Sequence, residues 1–279
     1  MNTNYLLPAE WERQSGVLLT WPHANTDWKP YLKDITTMFV DMARAIADRE
    51  RLLIATPETD RVGTLLHAAL SPQAMANVRI VECDSNDTWA RDHGFITLLE
   101  ADGKRRLLDF QFNGWGMKFA AERDNRICRT LMQQGVLQGS YEDHLNFVLE
   151  GGSIESDGKG TLLTTRQCLM APHRNQPLTQ QEIEERLLKW LHAHRLLWLT
   201  HGSLEGDDTD GHVDTLARLC PHDTIPYVQC TDEADPHSQE LQLMEEELRE
   251  MRNAQGNPFS LLHLPIAAPA FDEEGNRLP

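Results

Sequence analysis

The sequence predicts an α/β protein built from a repeated unit, and three observations carry this prediction. Short apolar runs rich in Val, Ile and Leu alternate with amphipathic helical patterns. Two further stretches have the form strand, turn and strand, which is typical of antiparallel hairpins. The order of helix, strand, polar loop and strand pair recurs with a period of roughly 60 residues. A doubly wound sheet or a TIM barrel would instead alternate single strands with single helices.

Six runs predict strands because they are short, apolar and rich in residues that favour β structure. They are VLLTW from residue 17, LLIAT from 52, VRIVEC from 78, FVLE from 147, LLWLT from 196 and LLHLPI from 261. The two hairpins are GFITLLE-ADGK-RRLLDFQF, which turns near 103, and SIES-DGKG-TLLTT, which turns near 158. Some strands of the protein are therefore expected to pair antiparallel.

The first helical pattern, YLKDITTMFVDMARAIADRE, carries apolar residues at spacings of three and four. Its predicted buried face is formed by Leu32, Ile35, Phe39, Met42 and Ile46. Further helices are predicted at about 58–69, 120–134, 179–193 and 236–253. Thr179 followed by Glu182 has the form of a capping box, which predicts a helix start at this point.

The charge of the chain restricts its partners. It has 43 Asp and Glu against 26 Lys and Arg, and a net charge of −17. This excess of acids argues against phosphate backbones and anionic membranes as partners, and it is compatible with a small cationic ligand. Acidity that serves only solubility is the alternative.

The sequence is typical of a single cytoplasmic domain. No basic segment leads into an apolar run near the start, so a secretory signal is not expected. The five cysteines are odd in number and scattered, which suits a reducing compartment better than a disulfide framework. We find no linker-like stretch, so residues 1–279 are expected to form one domain.

Polar residues follow the strands at corresponding points of the repeat. DSNDTWARDHG, GGS and GDDTDGHVDT follow three of the predicted strands, and Asp92, Glu150 and His212 mark their positions. If the units surround an axis, equivalent strand ends converge on its centre. The three loops are then expected to direct their side chains into one pocket.

The acid-rich stretch 206–215 could bind a metal, form a polar turn or contribute to this pocket. An EF-hand register fails, because it places Gly206 and Ala217 where acids are required. A zinc site would need a second His or Cys near His212, and this loop has none. No metal is therefore predicted.

Within this stretch, we interpret Asp207 and Asp210 as turn residues that satisfy their own backbone. If a strand begins at 213, His212 and Asp214 share one of its faces and point together towards the pocket. His212 and Asp214 are therefore the candidate functional pair.

Four motifs, in this order, resemble the agmatine deiminases and the wider peptidylarginine-deiminase-like branch of the guanidine-modifying superfamily. They are NDTWARD (86–92), FNGWG (112–116), LEGGSIESDGKGTLLTT (149–165) and DDTDGHVDTLAR (207–218), with PAEWERQSGVLLTWPH near the start. The resemblance implies a pentein fold, in which five ββαβ units surround a pseudo-fivefold axis. It also implies hydrolysis of a guanidinium group without metal or organic cofactor, most often that of agmatine, on the route to putrescine.

The resemblance assigns roles to individual residues. Asp92 and Asp214 would clamp the guanidinium, and His212 would be the general acid and base. Glu150 would orient His212, and Trp89 and Trp115 would line the pocket, where an aromatic face can meet a cation. Core packing is the alternative for both tryptophans. Asp208 is expected to assist substrate binding.

The family mechanism also needs a nucleophilic cysteine thiolate, which lies near the C-terminus in a Gly-rich segment ending in His-Cys. This sequence has no such segment before Pro279, and none of its five cysteines matches that context. We therefore expect buried, unreactive cysteines, a last unit that is incomplete, and a chain that is inactive without the C-terminal part of a longer parent.

Several alternatives remain open from the sequence. Arginine or peptidylarginine could replace agmatine as the substrate, and a non-catalytic member could bind a guanidinium or polyamine ligand. A homo-oligomer is also compatible with the sequence.

Overall fold

The computed structural model describes residues 5–268 and residue 271. The turn expected for DEEGNRLP, residues 272–279, lies outside this part of the chain. The helices are α1 (Leu32–Ala47), α2 (Thr59–Ala69), α3 (Pro72–Met75), α4 (Ala90–His93), α5 (Gly114–Met117), α6 (Asp124–Gln133), α7 (Arg166–Leu169), α8 (Gln180–Trp190) and α9 (Ser238–Glu250). Among the described residues, none of the helices has the length and apolarity needed to cross a membrane.

The strands are β1 (Tyr5–Leu6), β2 (Val17–Thr20), β3 (Leu52–Thr56), β4 (Val78–Glu82), β5 (Ile96–Glu100), β6 (Arg105–Gln111), β7 (Ser140–Val148), β8 (Ile154–Ser156), β9 (Thr161–Thr165), β10 (Arg195–Leu199), β11 (Thr224–Gln229) and β12 (Ser260–Pro265). They form sheets ordered β2-β3-β4, β1-β5-β6-β7, β10-β9-β8 and β11-β12.

A strand–helix–strand unit recurs within the described residues, and it ends each time in a pair of parallel strands. The units are β2-α1-β3, β6-α6-β7, β9-α8-β10 and β11-α9-β12. Strands β5 and β8 precede two of these units and pair antiparallel with β6 and β9. Both predicted hairpins and the predicted recurrence are confirmed.

Helix α1 contacts the first sheet with a face that differs in part from the predicted one. Ile35 and Phe39 are buried as expected, but Ala43 and Ala47 supply the next two buried positions. The prediction for Met42 was wrong, because this side chain is 37% exposed. Buried residues recur every four positions, and small alanines let the helix backbone approach the sheet.

Strand boundaries also depart from the predicted ones. Strand β7 begins at Ser140 and ends at Val148, so Leu149 and Glu150 lie beyond the sheet. The pairing of β6 with β7 also shifts register between Phe110 and Gln111, near the end of β7. Such irregularities re-aim the chain, and here the chain then leads towards the polar segment that follows β7.

The helix start predicted at Thr179 is confirmed. The Thr179 hydroxyl accepts a hydrogen bond from the Glu182 N–H at 3.2 Å, and the Glu182 carboxylate accepts one from the Thr179 N–H at 2.8 Å. A cap of this kind contributes about 1 kcal/mol. Helix α8 can then bury Ile183 and Leu187 in the core beside β10.

Three connections between neighbouring sheets carry the predicted polar residues. Asp92 lies between β4 and β5, Glu150 lies between β7 and β8, and His212 lies between β10 and β11. Each connection leaves one sheet and enters the next. The fold thus presents these residues from three separate connections between sheets, which we call crossings.

Candidate active site

The candidate site is centred on Gly152, which follows β7 in a 3-10 turn at Gly151–Ser153. A Cβ atom at Gly152 would lie 2.5 Å from His212 Nδ1, 2.9 Å from Asp214 Oδ2 and 3.0 Å from Asp92 Oδ1. Three polar atoms from two other crossings therefore converge on one point. Only glycine leaves space there, because contacts this short do not occur in well-packed proteins.

Asp92 is fixed by two hydrogen bonds. Its Oδ1 accepts the Gly152 N–H at 3.1 Å, and its Oδ2 accepts the Trp115 indole N–H at 3.1 Å. Burial raises the pKa of Asp92 to about 7; the two hydrogen bonds oppose this rise, and the nearby Glu150 and Asp214 add to it. A cation bound beside Asp92 would reverse the repulsion between these acids.

His212 lies next to Asp92, with 3.7 Å between His212 Nδ1 and Asp92 Oδ1. Its backbone N–H donates to Thr209 Oγ1 at 3.0 Å, and its carbonyl accepts the Thr215 hydroxyl at 2.8 Å. Its Nε2 is buried and has no hydrogen-bond partner among the described residues. Burial, and secondly Arg174, lower the pKa of His212 to about 3, so the imidazole is neutral near pH 7.

Residue 213 does not begin a strand, which was the condition under which His212 and Asp214 would share one face. Val213–Thr215 forms a 3-10 turn, and the chain enters a strand again only at Thr224. His212 and Asp214 nevertheless direct His212 Nδ1 and Asp214 Oδ2 towards Gly152. Burial raises the pKa of Asp214, and the positive charges of Arg91 and Arg218 oppose that effect.

Glu150 is fully buried, and its main partner is Arg174. Arg174 Nε lies 3.1 Å from Glu150 Oε1 and 3.4 Å from Oε2. Burial raises the pKa of Glu150, and the Arg174 charge opposes this. Glu150 was predicted to orient His212; its carboxylate accepts hydrogen bonds from Arg174 and has an oxygen within 4.8 Å of a ring nitrogen of His212.

Glu150, Cys168 and His212 have side-chain atoms within 4.8 Å of one another, and zinc accepts such ligands. Arg174 already supplies the positive charge beside Glu150. Burial also raises the pKa of the Cys168 thiol well above its usual range. A metal would have to displace the arginine and the thiol proton, so we assign no metal to this cluster.

The tryptophans occupy different positions. Trp115 is buried against Asp92 and has a positive φ of 55°, an uncommon backbone conformation for a bulky residue. Trp89 is 45% exposed and packs edge-on against Trp115, with ring centroids 6.1 Å apart. Trp28 lies 6.3 Å from Trp89 and adds a third ring that the sequence did not indicate. Trp89 is thus the more exposed of the two tryptophans that were predicted to line the pocket.

The stretch 206–215 divides between turn and ion-pair roles. The Asp207 carboxylate accepts the N–H groups of Thr209 and Gly211, as a turn residue would. The turn interpretation of Asp210 was incomplete: this residue has a φ of 66° and also binds Arg174 and Lys118. The Asp208 side chain is exposed, and its carbonyl accepts Lys118 Nζ at 2.7 Å.

The five cysteines are free thiols. Cys83, Cys128 and Cys168 are buried as expected, but Cys220 and Cys230 are partly exposed. For these two the expectation of burial was wrong, because both lie where the chain leaves a paired segment near the protein surface.

Two important residues gave little signal in the sequence. Gly152 is the second glycine of LEGG, and only the proximity of three side chains shows why a glycine is required there. Arg174 lies in the loop between α7 and α8, far in sequence from both of its carboxylate partners. Long-range ion pairs leave no local pattern in a sequence.

The sequence model of the Porphyromonas-type peptidyl-arginine deiminase family matches residues 6–279. The chain therefore belongs to this family. The predicted pentein fold is confirmed, and so is the predicted enzyme class at family level, a hydrolase that acts on C–N bonds of amidines.

Individual relatives agree with this assignment. The chain is 33% identical to a putative agmatine deiminase of Vibrio parahaemolyticus over 97% of this chain and 74% of that protein. It is 46% identical in sequence to a putative arginine deiminase from Porphyromonas gingivalis. The crystal structure of that protein matches with a TM-score of 0.90 over 98% of this chain and 80% of that one. A C. jejuni agmatine deiminase with substrate bound is 36% identical, with a TM-score of 0.85 over 98% and 77% of the respective chains.

Proposed function

We propose that this chain carries the substrate-binding part of an agmatine deiminase, which hydrolyses agmatine to N-carbamoylputrescine and ammonia. The observation that carries the proposal is the convergence of Asp92, Asp214 and His212 beside Gly152. The relatives described as agmatine deiminases support agmatine as the substrate.

The chemistry of a guanidinium fits this arrangement. The group is planar and cationic, and its N–H donors form a fork that matches carboxylate acceptors. Asp92 and Asp214 offer carboxylate oxygens to one point, while the neutral His212 adds no repelling charge there. Trp89 packs against Trp115, which donates to Asp92, and an aromatic ring beside this acid could meet the cation. We assign Asp92 and Asp214 as the clamp and Trp89 and Trp115 as pocket residues.

His212 is proposed as the acid and base of the reaction. A cysteine thiol passes its proton to the neutral His212, and the resulting thiolate adds to the guanidinium carbon. The bond to one terminal nitrogen then breaks, and His212 gives the proton to that nitrogen as it leaves as ammonia. Water then adds to the same carbon while His212 takes one of its protons. The carbon–sulfur bond breaks to release the carbamoyl product and the cysteine. Glu150, held by Arg174, supplies negative charge close to His212.

We propose that none of the five cysteines is the nucleophile. Cys168 lies near Glu150 and His212, but its side chain is fully buried and its thiol stays protonated because burial raises its pKa. Purified chain of these 279 residues is therefore expected to give no turnover. Steady formation of N-carbamoylputrescine that is lost in Cys168→Ala or His212→Ala would overturn this assignment.

Calorimetry tests the clamp directly. Agmatine is expected to bind, and putrescine, which lacks the guanidinium, is expected to bind at least about tenfold more weakly. Asp92→Asn and Asp214→Asn should each weaken agmatine binding by about 10- to 100-fold. Asp60→Asn, an equal charge change at an exposed position of α2, should leave binding within about twofold. Equal affinity for agmatine and putrescine would contradict the proposal.

A substrate built on arginine is the second candidate, because the matching family is described as peptidyl-arginine deiminase. Titration with arginine and with a peptide containing arginine, under the same conditions, compares the candidates. Tighter binding of either than of agmatine would replace agmatine as the substrate.

We further propose a cytoplasmic protein whose partner is this small cation, with no role for nucleic acids or membranes. The net charge of −17 supports this choice of partner. A homo-oligomer remains a prediction, which sedimentation of the purified chain would test.

A further inference from the structure

Arg174 is a buried cation that reaches two parts of the candidate site. Its side chain has no exposed surface. Its Nε faces Glu150, while Nη1 donates to Asp210 Oδ2 at 2.6 Å and Nη2 donates to the Thr209 carbonyl at 2.7 Å. One planar guanidinium thus connects the crossing after β7 to the loop that precedes His212.

The loop side of this connection leads directly to His212. Thr209, whose carbonyl binds Arg174, also accepts the His212 N–H through its hydroxyl. Asp210, two residues before His212, has a left-handed φ of 66°, a conformation that requires support from its surroundings. The Arg174 contacts supply that support.

A third segment joins the same network. Lys118 Nζ binds Asp210 Oδ1 at 2.7 Å, and Lys118 lies three residues after Trp115, which donates to Asp92. Gly116 packs against Arg174 so closely that a Cβ there would lie 3.3 Å from Nη1. Arg174 therefore contacts the segments that carry Trp115, Glu150 and His212, and Trp115 in turn binds Asp92.

We propose that Arg174 is a positioning residue for agmatine, which sets the spacing of Glu150 and His212 and holds the Trp115 segment against them. This inference rests on the proposed function. Because Arg174 is fully enclosed, it acts through these residues without touching the ligand. Arginine is required, since lysine has the charge but cannot bind two carboxylates and a carbonyl in one plane.

The charge of Arg174 has a separate effect on His212. It is the second cause, after burial, that lowers the pKa of His212. Loss of this charge should therefore raise the His212 pKa. The other groups that act on or adjoin His212 are Asp92, Asp207, Asp210, Asp214, Glu150, Arg91 and Cys168.

Two substitutions separate charge from geometry. Arg174→Gln should weaken agmatine binding by about tenfold or more and raise the His212 pKa measured by NMR in ligand-free protein. Arg174→Lys should weaken binding similarly but leave the His212 pKa close to wild type. A purely structural role would change neither measurement beyond what lost stability explains.

Arg129→Gln is the matched control, since Arg129 Nη1 pairs with the buried Asp109 at 3.0 Å outside this network. It should lower stability yet leave agmatine binding within about twofold. The proposal would be overturned if Arg129→Gln lost as much agmatine affinity as Arg174→Gln. It would also be overturned if Arg174→Gln kept both the agmatine affinity and the His212 pKa of the wild type. If Arg174→Gln does not fold, Asp210→Asn tests the same network: it should weaken agmatine binding and lower the His212 pKa, because the Asp210 charge raises that pKa. If wild-type chain fails to bind agmatine, the proposed function fails, and the NMR measurement still tests Arg174.

Discussion

Glu150 and Glu155 lie in one short segment, are both almost fully buried and both pair with an arginine, yet their surroundings differ. The partner of Glu150 is Arg174, which is enclosed and continues into the loop before His212. The partner of Glu155 is Arg218, which is 37% exposed and also approaches Glu10 on the surface. Glu150 is therefore linked to the candidate site, whereas Glu155 is linked to charged residues at the surface.

The difference shows that burial alone does not identify a functional acid. Burial raises the pKa of Glu155 to about 7, and Arg218 opposes this only partly. Arg218 Nε and Glu155 Oε1 are 2.6 Å apart but lack hydrogen-bond geometry in the described structure, while Oε2 accepts the Leu219 N–H at 3.1 Å. Glu155 supports the backbone after the candidate site, whereas Glu150 belongs to the network around His212.

The largest expected effect on agmatine binding comes from Gly152, which lies between the two glutamates. Gly152→Ala should abolish measurable binding, because the new Cβ would occupy the point where Asp92, Asp214 and His212 meet. Calorimetry with agmatine measures this. Gly63→Ala in α2 is the control, since its Cβ would meet only Ile80 Cδ1 at 3.8 Å, and it should raise stability by about 0.5–1 kcal/mol. Binding within twofold of wild type in Gly152→Ala would refute the site.

An intermediate effect on agmatine binding is expected from pH. It arises at Asp92, whose pKa the nearby Glu150 helps to raise. The Asp92 pKa of about 7 means that the empty site is protonated below pH 7 and must lose a proton to hold a guanidinium. Agmatine affinity should therefore rise by about tenfold per pH unit up to pH 7 and level off above it. Calorimetry between pH 5 and 8 measures the slope. Asp92→Asn should flatten it, and a pH-independent affinity in wild-type chain would exclude Asp92 from the clamp.

The smallest effect on binding is expected at Glu155. Its folded pKa of about 7 exceeds the ordinary value of 4.5, so the folded state retains a proton that the unfolded state loses. The contribution of Glu155 to the free energy of unfolding should fall by about 1–3 kcal/mol as pH rises from 4.5 to 7. Glu155→Gln should remove that decline in denaturation experiments while agmatine affinity stays within twofold. A large loss of affinity in Glu155→Gln would erase the distinction between the two glutamates.

The sequence predicted much of the fold because local patterns determine it. Apolar periodicity identified β2, β3, β4, β10 and β12, and turn residues identified both hairpins. Strand β11, TIPYVQ, escaped detection because Pro226 and polar ends interrupt its pattern. Met42 was misplaced because spacing alone cannot tell whether a large side chain or a neighbouring alanine meets the sheet.

The site was predictable in outline only. The repeat indicated that Asp92 and His212 converge, since equivalent connections approach one centre, but it could not show which atoms meet. The role of Gly152 depends on the absence of a side chain, and Arg174 depends on contacts with residues 24 and 36 positions away. Distances of this kind arise from packing and have no signature in local sequence.

The residues around Gly152 come from connections that each join two different sheets. A ligand held there would act as a non-covalent cross-link between these structural units. Its binding energy then adds to the cohesion of the whole chain in proportion to the logarithm of its concentration. Because the ligand binds only the folded arrangement of these units, a higher ligand concentration raises both the occupancy of the site and the free energy of unfolding.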